Sequence, residues 1–419
     1  MARAYIIGAG MAGLAAAVRL RHVGSALTVY ESAPRAGGRC RSHHDAQLDC
    51  VIDNGNHLLL SGNSAAMAYL DEIGARDKLA GPADAAFPFV DVTNGARWTV
   101  RPGDSRIPWW IFDAKRRVLG TRPSDYLSIL KLLNGSGTVA DCVGTTGSLY
   151  RGFWEPLTVG AINTAPEHAA AALMAPVLRE TFMKGAAACR PLIARDSLAD
   201  TFIDPAIALL TQSGVDVRFG ARVRALGFTH GRVSILDVDG TEIAITAADI
   251  VILATPAWIT GTLVPNLKVP PAGEPIVNVH YRVDALTDVR IVGVIGGLAQ
   301  WVFTRPGLAS VTISAAGAVV DAPAEEIAAR CWRDVALALE LGDMPAPPAR
   351  VVKERRATFA QTPADLALRA DAVTSWPNLL LAGDWTATGL PATIEGAVRS
   401  GHSAAALAQQ RLAPQRKAA

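Results

Sequence analysis

Charged residues are scarce in this chain of 419 residues. Asp, Glu, Lys and Arg make up 19% of the sequence, and half of the residues are hydrophobic. An average soluble domain has about 25% charged residues. The 40 Lys and Arg residues nearly balance the 38 Asp and Glu residues, so the net charge is only +2. This balance gives no electrostatic footprint for nucleic acid, and the apolar composition excludes a disordered chain.

The sequence also lacks a metal-binding pattern and a membrane-spanning run. Its five cysteines are scattered, with no C-x-x-C and no Cys/His cluster at metal-ligand spacing. We therefore expect free thiols in a reducing cytoplasm and no metal site. The longest uncharged run, residues 250–267, is interrupted by Pro256 and Pro265. It predicts a strand followed by a loop or short helix rather than a membrane span.

A dinucleotide-binding fingerprint occupies the first 31 residues. Residues 4–7 predict a buried parallel strand, residues 14–21 a helix and residues 27–30 a second strand that ends at Glu31. Between the first strand and the helix lies G-x-G-x-x-G, whose glycines allow a tight turn and a close approach to a pyrophosphate. The helix N-terminus attracts the phosphates. We predict that the cofactor contacts Gly8, Gly10, Met11, Ala12 and Gly13.

The residues after this fingerprint favour FAD. Glu31 is placed to hold the ribose hydroxyls, with Ser32 beside it, and an acid there disfavours the 2′-phosphate of NADP. Residues 31–41 contain Gly-Gly-Arg, which resembles the second fingerprint of a flavoprotein group that includes amine oxidases, carotenoid desaturases and protoporphyrinogen oxidase. The glycines, Gly38 among them, would admit the extended cofactor, and Arg39 would neutralise charge near the pyrophosphate.

A third cofactor segment lies near the C-terminus. Residues 378–382 predict a strand that leads to Gly-Asp, and a helix begins near residue 393. In the flavoproteins that this pattern resembles, the acid bonds the ribityl chain and the helix N-terminus faces the flavin ring. The same resemblance implies a backbone contact between Val223 and adenine. The C-terminal residues expected to contact FAD are Gly383, Asp384, Thr393, Ile394 and Ala397.

These segments indicate an α/β fold. A Rossmann-like FAD-binding domain of the glutathione-reductase or amine-oxidase type would carry an inserted α+β substrate domain. We expect the FAD-binding domain to comprise residues 1–85, 200–270 and 345–419, and the substrate-binding domain residues 86–199 and 271–344. The sequence has one dinucleotide site and no second one for NAD(P)H, so it does not identify the electron donor.

Several further segments carry a closer resemblance. They include residues 53–60, 154–157, 161–164 and 300–303, and the most specific is AGDWTATGLPATIEG at residues 382–396. Through these segments nearly the whole chain resembles the bacterial hydroxysqualene dehydroxylases, also called squalene-associated FAD-dependent desaturases. The cofactor motifs alone would not separate this family from other amine-oxidase-like flavoproteins.

The resemblance implies reductive removal of the hydroxyl of hydroxysqualene to give squalene, which feeds hopanoid synthesis. Loss of an allylic hydroxyl leaves a delocalised cation, which a hydride from reduced FAD would quench. The protein must then supply a proton, a dry apolar tunnel and electron-rich faces near the cation. Two residues depart from the family pattern: Asn56 stands where we expect Gln, and Thr304 where we expect Asp.

Candidate catalytic residues are few. His57 lies, with Asn54 and Gly55, in the segment that passes beside the flavin ring in related flavoproteins, and histidine is the usual group for proton transfer near neutral pH. We expect the proton donor to be His57 or Asp53. The residues expected to contact the lipid, in family-like segments or at a polar end of the site, are Trp154, Asn163, Arg179, Trp301, Lys353 and Trp385.

One segment indicates contact with a membrane. Residues 107–112 read Ile-Pro-Trp-Trp-Ile-Phe and are followed by Lys115, Arg116 and Arg117. Aromatic side chains beside a basic cluster suit a bilayer interface, and the lipid substrate is insoluble in water. We expect a cytoplasmic protein in peripheral contact with the inner membrane.

Three alternatives of other classes stay open from the sequence. An isoprenoid desaturase would use the same cofactor and a similar lipid but move the hydride in the opposite direction. An amine oxidase would need an aromatic cage and usually a flavin-facing Lys, and the sequence identifies neither. The Rab escort and GDP-dissociation-inhibitor proteins share this fold and bind prenyl groups without redox chemistry, but the complete set of FAD fingerprints disfavours that role.

Overall fold

The structure is a computed structural model that describes residues 2–412. Residues 1 and 413–419, at the two ends of the predicted FAD-binding domain, lie outside the described residues. The first ten strands are β1 (Ala4–Ile7), β2 (Leu27–Tyr30), β3 (Ser42–Asp45), β4 (Cys50–Asp53), β5 (Leu59–Leu60), β6 (Leu79–Ala80), β7 (Phe87–Asp91), β8 (Arg97–Val100), β9 (Pro191–Ala194) and β10 (Asp216–Arg218). The other strands are β11 (Val223–Thr229), β12 (Arg232–Val238), β13 (Thr241–Ala244), β14 (Ile250–Leu253), β15 (Ile276–Arg282), β16 (Ile291–Ile295), β17 (Trp301–Arg305), β18 (Leu308–Ile313), β19 (Ala349–Glu354) and β20 (Leu379–Leu381).

The α-helices lie between these strands, except for α11, which follows β20. They are α1 (Met11–Leu20), α2 (Ser64–Glu72), α3 (Ile129–Leu133), α4 (Val139–Val143), α5 (Glu155–Ile162), α6 (Ala171–Glu180), α7 (Asp204–Gln212), α8 (Ala257–Leu263), α9 (Ala324–Leu339), α10 (Pro363–Leu366) and α11 (Ile394–Leu412). Among the helices within residues 2–412, none is long and apolar enough to cross a bilayer.

A five-stranded parallel sheet, in the order β10-β2-β1-β14-β20, organises the cofactor-binding region. Strands β1, β14 and β20 are completely buried because their residues are apolar and both faces of the sheet are covered. The carboxyl ends of the strands meet at one edge. That edge carries Gly8 after β1, Glu31 after β2 and Gly383 after β20, which is where open parallel sheets bind dinucleotides.

Helices α1 and α11 pack against each other on one face of this sheet. Their close approach depends on Gly401, where a Cβ atom would overlap the carbonyl oxygen of Ala12 and lie 2.9 Å from the Cβ of Ala15. Because α1 follows the glycine loop directly, this contact also fixes the position of the loop.

A seven-stranded sheet, in the order β19-β15-β18-β17-β16-β7-β8, organises the second region. Neighbouring strands are antiparallel except for the pair β16 and β7. Side chains alternate between its faces, so Val302 packs with aliphatic residues and α9 on one face, whereas Trp301 and Phe303 lie on the other. On that second face an aromatic cluster forms with the helical segments above it, and its members are Phe87, Phe89, Trp110, Tyr126, Tyr150, Phe153, Trp154, Trp301 and Phe303.

The boundaries between the two regions differ from those that we predicted from the sequence. Strand β19 falls in residues 345–419, which we assigned to the FAD-binding domain, but it pairs with β15 over residues 276–281 and extends the seven-stranded sheet. Strand β9 falls in residues 86–199, which we assigned to the substrate domain, but it pairs with β5 and β6. Both differences arise because strand pairing is set by partners that are far away in the sequence.

We predict that Gly401→Ala destabilises the protein, although alanine normally favours a helix over glycine by about 1 kcal/mol. The added methyl group must push α1 and α11 apart, and such overpacking typically costs about 1–3 kcal/mol. The measurement is urea unfolding of the holoenzyme. The exposed Ser403→Ala on the same helix is the control and should change stability by less than about 0.5 kcal/mol. A Gly401→Ala protein more stable than the wild type would contradict the packing described here.

Candidate active site

The carboxylate of Glu31 holds the loop that follows β1. One oxygen accepts the Ala9 N–H at 2.8 Å, and the other accepts the Ala33 N–H at 2.8 Å. The exposed Ser32 places its hydroxyl 3.3 Å from the second of these oxygens. The acid predicted to bind the ribose therefore also fixes the backbone after β1, at Ala9, and after β2, at Ala33. These loops lie at the carboxyl edge of the parallel sheet, which we call the cofactor cleft.

The glycines of this loop differ in what surrounds them. Gly8 has a φ of +106°, which favours glycine, and a Cβ at Gly13 would overlap the Gly8 carbonyl oxygen. A Cβ at Gly10 would meet nothing within 4 Å among the described residues. Met11 and Ala12 are buried in the first turn of α1, and Gly10 precedes them without a side chain to cap their N–H groups. Open space and free N–H groups at a helix N-terminus fit the diphosphate of FAD.

The Gly-Gly-Arg segment brings the two ends of the chain together. Gly38 lies against the first loop, because a Cβ there would be 3.4 Å from the Cα of Gly10. Arg39 forms an ion pair with Asp384 at 2.7 Å, and the Asp384 side chain is only 8% exposed. The two residues predicted to contact the pyrophosphate and the ribityl chain are thus in direct contact with each other.

The N-terminus of α11 lies beside the Gly-Asp turn. The Gly383 N–H donates to the Ser400 hydroxyl at 2.8 Å, which ties the turn to the second turn of the helix. The Ala397 N–H donates to the Thr393 carbonyl at 2.9 Å, and the helix begins at the buried Ile394. This arrangement points the positive end of the helix dipole towards the carboxyl edge of the parallel sheet.

Val223 begins β11 and is buried. It lines a cavity of about 270 Å³ together with Arg222, Arg224, Ile259, Thr262 and Leu263. The adjacent Ala221 N–H donates to the Glu31 carbonyl at 2.9 Å, so this cavity lies close to the acid predicted to hold the ribose. The contact between Val223 and adenine stays a prediction. The position of the cavity near Glu31 is consistent with it.

The segment after β4 crosses from the cofactor cleft to the seven-stranded sheet. Asn54 donates its backbone N–H to the Arg41 carbonyl at 2.9 Å. Gly55 faces Asn278 of β15, since a Cβ at Gly55 would lie 3.2 Å from the Asn278 amide nitrogen. The two residues predicted to lie near the flavin are therefore fixed between the cleft and the sheet.

Asn56, which stands where we expected Gln, continues this attachment. Its side-chain amide donates to the Thr312 hydroxyl at 3.0 Å and to the Val311 carbonyl at 3.2 Å on β18. The Asn278 side-chain oxygen accepts from the Thr312 hydroxyl at 2.9 Å and from the Asn56 backbone N–H at 3.3 Å. The amide nitrogen of the shorter Asn side chain is thus held by this network.

Asp53 forms a buried ion pair with Arg305 of β17. The two charged groups are 3.0 Å apart, and their side chains are 5% and 10% exposed. The other oxygen of Asp53 accepts from the Ser42 hydroxyl at 2.6 Å and from the Leu198 N–H at 2.9 Å. These contacts give Asp53 a structural role. Its predicted role as a proton donor stays a prediction that these contacts do not support.

His57 lies next to Cys40, with the Nε2 and Sγ atoms 3.9 Å apart. Burial, followed by the charge of Arg39, lowers the pKa of His57 to about 4, although Asp53 and Asp384 act in the opposite direction. Burial raises the pKa of the Cys40 thiol to about 12. The His57 side chain is then neutral at pH 7. This pKa argues against the predicted role of His57 as the resting acid, because a neutral imidazole accepts or passes on a proton.

Two of the predicted lipid-binding residues meet in the aromatic cluster. Trp301 packs edge-on against Phe89 with ring centres 5.6 Å apart, and Trp154 packs edge-on against Phe153 at 4.9 Å. Leu58, which directly follows the predicted catalytic histidine, packs against the same cluster. The cluster therefore extends from the substrate region to the segment that leaves the cofactor cleft.

Asn163 and Trp385 occupy structural positions. Asn163 ends α5 with a φ of +53°, and its side-chain oxygen accepts the Ala315 N–H at 2.7 Å. The indole of Trp385 donates to the Thr255 carbonyl at 3.0 Å and packs with the residues of the parallel sheet rather than with the aromatic cluster. Direct contact of either residue with the lipid stays a prediction.

Arg179 and Lys353 are not brought to the aromatic cluster. The exposed Arg179 bonds the carbonyl of Leu133, and Lys353 donates to the carbonyl of Ala322 at 2.6 Å. Thr304, which stands where we expected Asp, is completely buried and donates to a backbone carbonyl at 2.7 Å. The polar end of the site that we expected from Arg179 and Lys353 is therefore not assembled in this structure.

Sequence reasoning missed a strip of buried polar residues on β15 and β18. Asn278 and Thr312 hold the segment after β4, and His280 lies 2.8 Å from the Ser310 hydroxyl. Burial lowers the pKa of His280 to about 4. The sequence signal for this strip is the alternation of apolar and polar residues in Val-Asn-Val-His-Tyr. In a strand that is buried on both faces, such alternation places all the polar side chains on one face.

Comparison with known proteins gives a consistent result. Residues 11–408 match the family described as flavin containing amine oxidoreductase. The chain is 46% identical to a hydroxysqualene dehydroxylase of Rhodopseudomonas palustris over 96% of this chain and 97% of that protein, and 45% identical to one of Sinorhizobium fredii over the same shares. A cyclohexylamine oxidase structure from Brevibacterium oxydans superposes with a TM-score of 0.70 at 16% identity, covering 98% of this chain and 99% of that one.

We predict that Glu31→Ala lowers FAD retention by about tenfold or more, because two backbone N–H groups and the ribose would lose their acceptor. The measurement is the flavin-to-protein absorbance ratio after gel filtration. Glu31→Gln keeps one acceptor oxygen and should retain more flavin, and the exposed Glu242→Ala is a control that should retain all of it. Full flavin occupancy in Glu31→Ala would contradict the assignment of this site.

Proposed function

The chain belongs to the hydroxysqualene dehydroxylases of the flavin-containing amine oxidoreductase family, and we propose that it reduces hydroxysqualene to squalene with FAD as its cofactor. It is an FAD-dependent oxidoreductase. The proposal rests on one observation: the segment after β4 leads directly from the cofactor cleft to the aromatic cluster. A C30 hydrocarbon with one hydroxyl needs an apolar site that reaches the flavin.

The reaction breaks the carbon–oxygen bond of an allylic alcohol and forms a carbon–hydrogen bond. The hydroxyl takes up a proton and leaves as water, and the carbon receives a hydrogen together with an electron pair. Reduced FAD supplies that hydrogen and electron pair when it is bound. The positive charge that develops on the lipid is favoured by the electron-rich faces of Trp154 and Trp301, and burial of the aromatic cluster excludes water that would recapture it.

The chain's polar residues hold the cofactor end of this site. Arg39 and Asp384 form an ion pair beside the Gly-Asp turn, and the N-terminus of α11 favours negative charge there. We propose that neutral His57 passes a proton onward rather than storing one, because its pKa of about 4 leaves its nitrogen free to accept. The sequence carries a single dinucleotide fingerprint and does not identify the donor that reduces FAD.

A desaturase would use the same cleft and a similar lipid, and the direction of electron flow separates the two activities. The test is an anaerobic reaction between chemically reduced holoenzyme and hydroxysqualene, with the flavin spectrum followed over time and the lipid analysed by mass spectrometry. We predict that the oxidised flavin spectrum returns while squalene forms in equal amount. The matched control is squalene, which should leave the flavin reduced.

A flavin that stays reduced in the presence of hydroxysqualene would contradict the proposed function. The oxidised enzyme would then be offered squalene, longer polyenes and amines. Reduction of the flavin by a polyene would assign a desaturase, and reduction by an amine would assign an oxidase.

We further propose that a surface formed by residues 101–131 binds the membrane peripherally. Six large apolar side chains on this surface are each more than half exposed: Ile107, Trp109, Phe112, Leu119, Leu127 and Leu130. The other exposed large apolar side chains among the described residues are less than half exposed. This stretch has seven Lys and Arg residues against three Asp. Trp110 and Tyr126 of the same stretch belong to the aromatic cluster, so the surface connects the bilayer with the lipid site.

We predict that Trp109→Ser combined with Phe112→Ser lowers binding to vesicles containing anionic phospholipid by about tenfold or more, because two bulky apolar groups no longer enter the interface. Cosedimentation with vesicles measures this. The control is Leu337→Ser, an exposed leucine on α9 that should leave binding unchanged. Equal vesicle binding by wild type and the double variant would contradict this surface as the site of contact.

A further inference from the structure

The helical segment 150–162 carries two buried polar groups that have no protein partner. Trp154 is 2% exposed and Thr158 is 0% exposed. Within residues 2–412, neither the indole Nε1 of Trp154 nor the hydroxyl of Thr158 finds a hydrogen-bond partner. The backbone at Trp154 is helical, and the two residues are four positions apart, so their side chains lie next to each other on one face of the helix.

Two groups of the same kind elsewhere in the molecule are satisfied, whereas the indole Nε1 of Trp98, which packs against the same aromatic cluster, is also buried without a partner among the described residues. The hydroxyl of Thr181 donates to the carbonyl four residues earlier at 2.6 Å, and the indole of Trp332 donates to the Met344 carbonyl at 2.9 Å. Thr158 makes no such bond to its own helix, although that carbonyl is the usual partner of a helical threonine. Buried polar groups without a partner are rare in native proteins and call for an explanation such as a bound molecule.

The surroundings of this pair define the molecule that it could bind. Trp154 belongs to the aromatic cluster, and Phe153 packs against it edge-on. One N–H donor in the aromatic cluster and one hydroxyl a helical turn away from it match a ligand that is hydrocarbon except for a single hydroxyl. A charged or polyhydroxylated ligand would bury further polar groups there without partners.

We infer that Trp154 and Thr158 together bind the hydroxyl group of the lipid alcohol. The indole N–H donates to the lipid oxygen, and the Thr158 oxygen accepts the hydrogen of the lipid hydroxyl. This inference rests on the proposed function and adds to it the residues that recognise the hydroxyl. It also gives the enzyme a means of releasing its product, because squalene has no hydroxyl and leaves both protein groups unsatisfied.

The test compares the affinity of oxidised holoenzyme for hydroxysqualene and for squalene, measured by perturbation of the flavin spectrum, so that no turnover takes place. The wild type should prefer hydroxysqualene by about tenfold, and Thr158→Val and Trp154→Phe should each reduce this preference about fivefold, as expected for one hydrogen bond. Thr158→Ser keeps the hydroxyl and should keep the preference. Trp332→Phe removes a buried indole outside the aromatic cluster and should also keep it.

Two results would overturn the inference. If the affinities for both lipids fall equally in Thr158→Val and Trp154→Phe, the pair has a packing role. If neither affinity changes, the pair binds a buried water. Failure of the proposed function is a separate result, because the reduced wild-type enzyme would then form no squalene in the anaerobic reaction. An enzyme that forms squalene while its variants keep the full preference would refute only the inference about Trp154 and Thr158.

Discussion

The buried ion pair between Asp53 and Arg305 is the contact on which the arrangement of the site depends. It joins the end of β4 to β17 of the seven-stranded sheet, and both charged groups are almost fully withdrawn from water. Loss of one partner of such a pair typically costs about 3–5 kcal/mol, because the other charge is left buried and uncompensated. The ion pair thereby fixes the start of the segment that carries His57, and the bonds from Asn56 to β18 continue the attachment.

The two faces of the seven-stranded sheet have different roles. One face is aliphatic and packs against α9, which makes it a structural core. The other face is polar on β15 and β18, where it holds the segment after β4, and aromatic on β17 and β7, where we propose the lipid binds. The alternation of side chains along each strand is enough to produce this division. One sheet can thus attach the cofactor region and provide apolar, electron-rich surroundings for a lipid cation.

The local parts of this architecture were predictable, and the non-local parts were not. Strands β1 and β2 and the glycine loop follow from short β-branched runs and glycine spacing, and the FAD family assigned from the sequence is confirmed by the comparisons. The contact of Asn56 with Asn278 joins residues 222 positions apart, and no local pattern specifies such a partner. The same applies to β19, whose own sequence does not reveal that it pairs with β15. The pKa of His57 likewise depends on burial that only the folded chain produces.

In the proposed reaction, hydrogen passes directly from the cofactor cleft to the lipid on the aromatic face of the sheet. The most direct measurement reconstitutes the protein with reduced 5-deazaFAD that carries deuterium at both positions of carbon 5, which do not exchange with water, and analyses the squalene formed in a single turnover. We predict one deuterium in each squalene, on the carbon that carried the hydroxyl. Squalene that contains no deuterium would contradict the account, because the hydrogen would then have come from another source.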